Sequence, residues 1–131
     1  MKRADWQDRS LLDVPFSYCL VITEKAFERE LRRLKVPKRS WPSYVNSSHA
    51  NATAHFFSKT DDSDECCIVT MRDWKRHTKT EILGVLVHEA VHIWQEIRDR
   101  IGEHRPSSEF EAYAIQRIAQ NLMFSFRKQT R

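Results

Sequence analysis

The sequence predicts an α+β fold in a single domain, with a small, mostly antiparallel sheet from the first two-thirds of the chain packed on two C-terminal helices. Three observations predict it. Runs of β-branched and aromatic residues, bounded by turn formers, recur as far as Met71. From Thr78 onward the period changes, and two long helical stretches each open with a capping-box pattern. Two glycines and four prolines are too few for a turn-dense all-β fold. A length of 131 residues suffices for one hydrophobic core and leaves no room for a second.

Taken in order, residues 1–13 are polar with one Trp and read as irregular. Residues 14–22 read as a short strand entered through Pro15. Thr23 offers an N-cap to a helix whose core stripe is Phe27, Leu31 and Leu34, at i, i+4 and i+7, and which Pro37 terminates. Residues 40–50 form a loop rich in turn formers. Residues 51–58 and 65–71 read as two strands joined by a hairpin turn over 59–64. The acidic residues from Asp61 to Glu65 lack the glycine and distal glutamate of an EF-hand, so they are read as turn chemistry.

Thr78 and Glu81 then form a capping box, and the helix they open runs through Trp94, Ile97 and Ile101 to Gly102, the expected C-terminal glycine. Ser108 and Glu111 form a second capping box. It starts a final helix with Ile115, Ile118, Leu122 and Phe126 on one face, followed by a frayed basic tail.

The first long helix carries His88-Glu89-Ala90-Val91-His92, an H-E-x-x-H motif. Residues four apart on a helix sit one above the other, so both imidazoles leave one face and can grip one metal ion. Glu89 lies about 100° further round, beside such an ion rather than bound to it. That is the place for a carboxylate acting as general base on zinc-bound water. By chance the motif occurs in roughly one chain of this length in a few hundred. Its apolar flanks argue against the bland reading, in which the three side chains are solvent-facing ornaments.

A catalytic zinc site needs a third protein ligand. Gln95 and Arg98 stand where the metzincin pattern would place Gly and His, so that class is excluded. His104 on the turn after the helix, and Glu109 and Glu111 on the first turn of the next, are the candidates. The two glutamates are about 200° apart on a helix and do not serve together easily. The apolar face of the last helix extends back to Glu111, which argues for Glu111 pointing inward. The capping box gives that same residue another task.

At these residues the chain resembles the gluzincin metallopeptidases, whose third ligand is a Glu opening a downstream helix as Glu-x-x-Ala-(Asp or Asn). Glu109-Phe110-Glu111-Ala112-Tyr113 matches, with Tyr113 in place of the acid or amide. The span from His88 to Ile118, with Gln95 after the second His, is similar to small zinc peptidases of tailed phages and prophages. The resemblance covers about the last third of the chain. It implies a minimal zincin fold, a Zn2+-dependent peptidase reaction and Glu109 as the third ligand. It also implies a sheet edge beside the motif helix that takes a peptide or protein substrate as an added strand, an edge the 51–71 hairpin is positioned to supply. Tyr113 would orient a ligand histidine or hydrogen-bond the reaction intermediate. The alternative for it is an aromatic half packed in the core. Gln95 is read as exposed and Trp94 as core.

Composition bounds the rest. Hydrophobic content of 40% with 31% charged residues fits a globular chain rather than a disordered one. No apolar run approaches the roughly 20 residues of a membrane helix, and the N-terminus has no apolar signal core. Cys19 and the adjacent Cys66 and Cys67 have no Cys-x-x-Cys spacing. They are expected to be reduced thiols in the cytoplasm, Cys66 and Cys67 facing opposite sides of a strand.

The net charge is +4. Lys25, Arg29, Arg32, Arg33, Lys35, Lys38 and Arg39 cluster on the first helix and just after it. Nucleic acid is permitted as a partner there but not favoured, because Glu24, Glu28 and Glu30 pair locally and a solvated face accounts for the charges. The competing reading of the whole chain keeps the metal and drops the hydrolysis. It is a basic zinc-containing module that binds nucleic acid or a host protein.

Overall fold

A computed structural model describes residues 3–7 and 15–131. The rest of the expected irregular stretch over 1–13, and Val14 of the expected first strand, lie outside the described residues. Strand β1 spans Ser17–Val21, helix α1 Glu24–Arg33, strand β2 Ala52–Phe57 and strand β3 Cys66–Met71. The long helices are α2, Lys79–Arg100, and α3, Ser108–Gln129. Short 3-10 turns occur at Lys38–Ser40 and Trp74–Arg76.

The α+β class holds, but the sheet is mixed rather than mostly antiparallel. Its order is β1-β3-β2. β2 pairs antiparallel with β3 through the hairpin, with Ala54 opposite Val69, whereas β1 pairs parallel with β3, with Cys19 opposite Ile68. Burial explains the order. Every residue of β3 is buried, so it belongs in the middle, while β2 alternates between half-buried and buried residues and takes an edge. A parallel pair needs a crossover, and α1 supplies it.

Both faces of the sheet are covered. Tyr18, Leu20, Cys67, Val69 and Met71 face α2 and α3, where Leu86, Ile93, Trp94, Ile118 and Leu122 complete the main core. Cys19, Val21 and Ile68 face the other way, against Phe27 and Leu31 of α1. Neighbouring strand residues thus point to opposite faces, as expected for the adjacent cysteines. All three thiols are free and buried. No helix among the described residues is long and apolar enough to cross a membrane.

The helix ends follow local chemistry. Thr23 accepts a hydrogen bond from the Ala26 amide (3.1 Å) and starts α1. Beyond the Leu34 cap, Lys35 adopts φ 58° and the Val36 amide donates back to the Leu31 carbonyl at 3.0 Å, closing the last turn before Pro37. The Thr78–Glu81 capping box forms in both directions, at 2.9 and 3.2 Å. Gly102 ends α2 at φ 72°, a conformation that costs a glycine little.

The second capping box does not form. Ser107, not Ser108, caps α3 by accepting from the Phe110 amide at 3.2 Å, and the Glu111 carboxylate is engaged elsewhere.

The N-terminal segment is tied to α1 by one carboxylate. Glu30, 1% exposed, accepts from the Trp6 indole (2.9 Å), the Ala4 amide (3.2 Å) and the Arg33 guanidinium (2.9 Å). Burial alone would raise its pKa, but these three donors outweigh burial and hold it below the usual carboxylate value. A carboxylate with a depressed folded-state pKa contributes stability above its unfolded pKa of about 4.3 and loses it as pH falls through the folded value. The stability gap between wild type and Glu30→Gln should therefore be widest at neutral pH and shrink in acid. Urea unfolding at pH 7 and at pH 3 reads this directly, and a gap independent of pH would refute it.

Candidate functional site

The motif helix begins at its capping box and is held down by Leu86, Ala90, Ile93 and Trp94, all turned into the main core. That leaves the other side of α2 to face the free edge of β2. Between them lies a cleft of about 770 Å³. His88, Glu89 and His92 line it from α2, with Gly84 and Val85 one turn earlier. Ala52, Thr53, Ala54 and Phe56 line it from β2. Asn46, Asn51, His77 and Glu81 close one end, and His77 Nδ1 stands 3.5 Å from a Glu81 carboxylate oxygen.

The two imidazoles converge. Their Nε2 atoms are 3.1 Å apart and both rings are exposed to the cleft. Two nitrogens bound to one zinc at about 2.0–2.1 Å, in tetrahedral directions, stand about 3.3–3.4 Å apart. The pair therefore fits one ion with almost no adjustment. The same separation also accommodates a single N–H···N hydrogen bond between neutral rings.

Glu89 is 5% exposed. Burial pushes its pKa above the usual carboxylate value, against the lowering effect of His92, His88 and a hydrogen bond from the Ala54 backbone amide. That amide belongs to the outer strand of the sheet. Helix and edge strand are thus joined at the carboxylate that the motif singles out.

The candidate third ligands are not at this point. Glu111 accepts from the Trp94 indole at 2.8 Å and from Arg98 at 3.4 Å. Trp94 lies about 200° round the helix from His92, so a carboxylate held there faces away from the imidazoles. Glu111 does point inward, as the apolar face suggested, but into the junction of α2 with α3.

Glu109 is exposed on the first turn of α3, and His104 is exposed in the connection before it. Tyr113 is 64% exposed, so it is neither half packed in the core nor a lining residue of the cleft. Gln95 is exposed, as read, and Trp94 is 1% exposed and core. Among the described residues no group of three or more His, Cys, Asp and Glu side chains could hold a metal ion. Two imidazole nitrogens are thus in place with a carboxylate beside them, and none of the candidate third ligands joins them.

Other features of the cleft were not visible in the sequence. The Ala54 amide is one, because a backbone contact between a helix and a strand leaves no residue signature. The polar end at Asn46, Asn51 and His77 is another, since it is assembled from a loop and two elements.

His55 is a histidine of a different kind. It lies on β2 facing α1, stacked 4.8 Å from Phe27, with Nε2 near the Tyr44 carbonyl (3.0 Å) and Thr70 Oγ1 (3.1 Å). Burial lowers its pKa. It belongs to the second core and not to the cleft.

Compared with protein-family models, with curated proteins and with solved structures, the chain matches none.

Proposed function

We propose that the protein is a zinc-dependent metallopeptidase of gluzincin type, in which His88 and His92 hold the ion and Glu89 is the general base. The observation that carries this reading is the convergence of the two imidazoles at 3.1 Å beside a buried glutamate in the cleft between α2 and β2. Glu109 is proposed as the third ligand. It matches the family pattern but lies outside the cleft, so it would reach the ion only by a movement of the first turn of α3, whereas Glu111 is held by Trp94 and Arg98. The thiols, free and buried, are of the kind a reducing cytoplasm maintains.

When bound, zinc would polarise the scissile carbonyl and bring the pKa of water down toward about 7. The chain's own residues do the rest. Glu89 takes a proton from water as its oxygen attacks the carbonyl carbon. When the C–N bond breaks, Glu89 passes that proton to the leaving nitrogen and returns to carboxylate. The edge position of β2 supports binding of the substrate as an extended strand along the cleft, with backbone hydrogen bonds supplying affinity.

Elemental analysis under non-chelating conditions tests the reading. Wild type is expected to carry one zinc per chain. His88→Ala and Glu109→Ala should lose it, while Glu111→Ala should keep it and melt at a lower temperature. No zinc in wild type, even after adding it back, would end the peptidase proposal.

A further inference from the structure

We propose that α1 and the 3-10 turn after it form a second binding surface, for the phosphate backbone of nucleic acid. The argument starts from where the charge lies. Residues 24–39 contain seven Lys or Arg and three Glu, whereas the rest of the chain has fifteen of each sign. The entire net charge of +4 therefore comes from this one segment.

The fold concentrates it further. Phe27 and Leu31 face the sheet, so Lys25 and Arg32, at i and i+7, stand exposed on the opposite side, with Arg29 half-buried between them in the same stripe. Of the three glutamates available to neutralise it, Glu24 is exposed on the first turn, and Glu30 is buried and spends its charge on Trp6, Ala4 and Arg33. Glu28 flanks the stripe and reaches Arg32 only at 3.9 Å, with both side chains exposed. Lys35 meets Asp62 at 3.6 Å, again in solvent. Exposed pairs of this kind stabilise by less than about 1 kcal/mol and give way to a stronger anion.

Trp41 then gathers more cations at the end of the stripe. Its indole N–H donates to the Val36 carbonyl at 2.9 Å, which fixes the ring. The Arg32 guanidinium lies 5.3 Å from the ring centroid and the Lys38 ammonium 6.0 Å. Cations from the helix and from the turn are thus held around one aromatic, with Arg39 exposed alongside. With both cations over the ring, Trp41 acts as their scaffold rather than as a stacking platform for bases. Contacts made to phosphate carry no sequence information, which predicts binding that does not depend on sequence. Apart from Trp41, whose ring carries two cations, the stripe has no apolar side chain for a bilayer to bury, which favours a polyanion over a membrane. The surface lies on the layer of the sheet opposite α2, so it is independent of the peptidase proposal and leaves the cleft open.

The test is fluorescence anisotropy with two labelled 20-base-pair DNA duplexes of unrelated sequence. Wild type should bind both equally. With three to four phosphates neutralised, affinity should fall roughly 40- to 150-fold between 50 and 200 mM salt. The pair Lys25→Glu, Arg32→Glu should weaken binding at least tenfold and flatten the salt dependence, and Lys38→Glu, Arg39→Glu should do the same. The pair Lys59→Glu, Arg105→Glu makes an equal change of net charge elsewhere on the surface and should leave binding near wild type. His88→Ala should bind as wild type does. All these side chains are exposed, and matching thermal melts verify folding. Absence of binding at 50 mM salt, or equal loss in the Lys59/Arg105 control, would overturn the proposal. Binding to vesicles rich in phosphatidylserine but not to duplex would overturn it in favour of a membrane surface.

Discussion

On the peptidase proposal, Glu89→Gln is expected to bind zinc and fold as wild type does and to lose hydrolysis by about a hundred- to ten-thousandfold, the usual contribution of a general base. The substitution is nearly isosteric. The oxygen of the introduced side-chain amide can still accept from the Ala54 backbone amide, so the link between helix and edge strand survives. What the new side chain cannot do is take a proton. Because burial disfavours the Glu89 carboxylate, replacing it with a neutral group should leave the melting temperature unchanged or raise it slightly. Cleavage of a peptide library read by mass spectrometry, with zinc content and a thermal melt on the same samples, checks all three expectations. Retained cleavage would assign the base elsewhere. If wild type carries zinc and cleaves nothing in such a library, and Glu89→Gln alters no binding property, the non-hydrolytic module becomes the better account.

The largest expected loss of stability comes from Trp94→Ala, at about 3–5 kcal/mol. Trp94 is 1% exposed, packs edge-on to Phe110 at 5.7 Å and donates its indole N–H to Glu111. Truncation leaves a cavity between α2 and α3 and removes the donor that holds the Glu111 carboxylate in that junction. Against a typical domain stability of about 5–15 kcal/mol, this is enough to unfold a large fraction of the protein. Trp94→Phe separates the two contributions. It keeps most of the ring and loses the hydrogen bond, for an expected cost of about 1–3 kcal/mol. Equal midpoints for Trp94→Phe and wild type in urea would show that the bond to Glu111 contributes nothing.

The same junction shows why the choice between Glu109 and Glu111 was out of reach of the sequence. The apolar period of α3 extends back to Glu111 and turns it inward, which is correct. Inward, however, means toward Trp94 and Arg98, on the side of α2 away from the imidazoles. The period says which face of a helix is buried. It does not say which neighbour the first turn meets. Tyr113 reads in sequence as site or half-packed core and is neither, because nothing in a single aromatic at the edge of an apolar face says whether a neighbour covers it.

What the sequence determined by itself is what depends on neighbours a few residues away. The Thr23 and Thr78 caps, the Gly102 stop, the hairpin around residues 59–64 and the two histidines on one face of α2 all rest on contacts within one or two turns. Local geometry is the same in any fold, so those readings carried over. Tertiary structure alone decided that β3 lies between β1 and β2, that β1 pairs parallel to it, and that α1 covers the second face. It also decided that the Ala54 amide meets Glu89, and that Glu30 leaves the basic face for the interior. Each of these joins residues far apart in the chain. The deciding term is which apolar surfaces bury together, a property of the whole set of elements that no single stretch of sequence encodes.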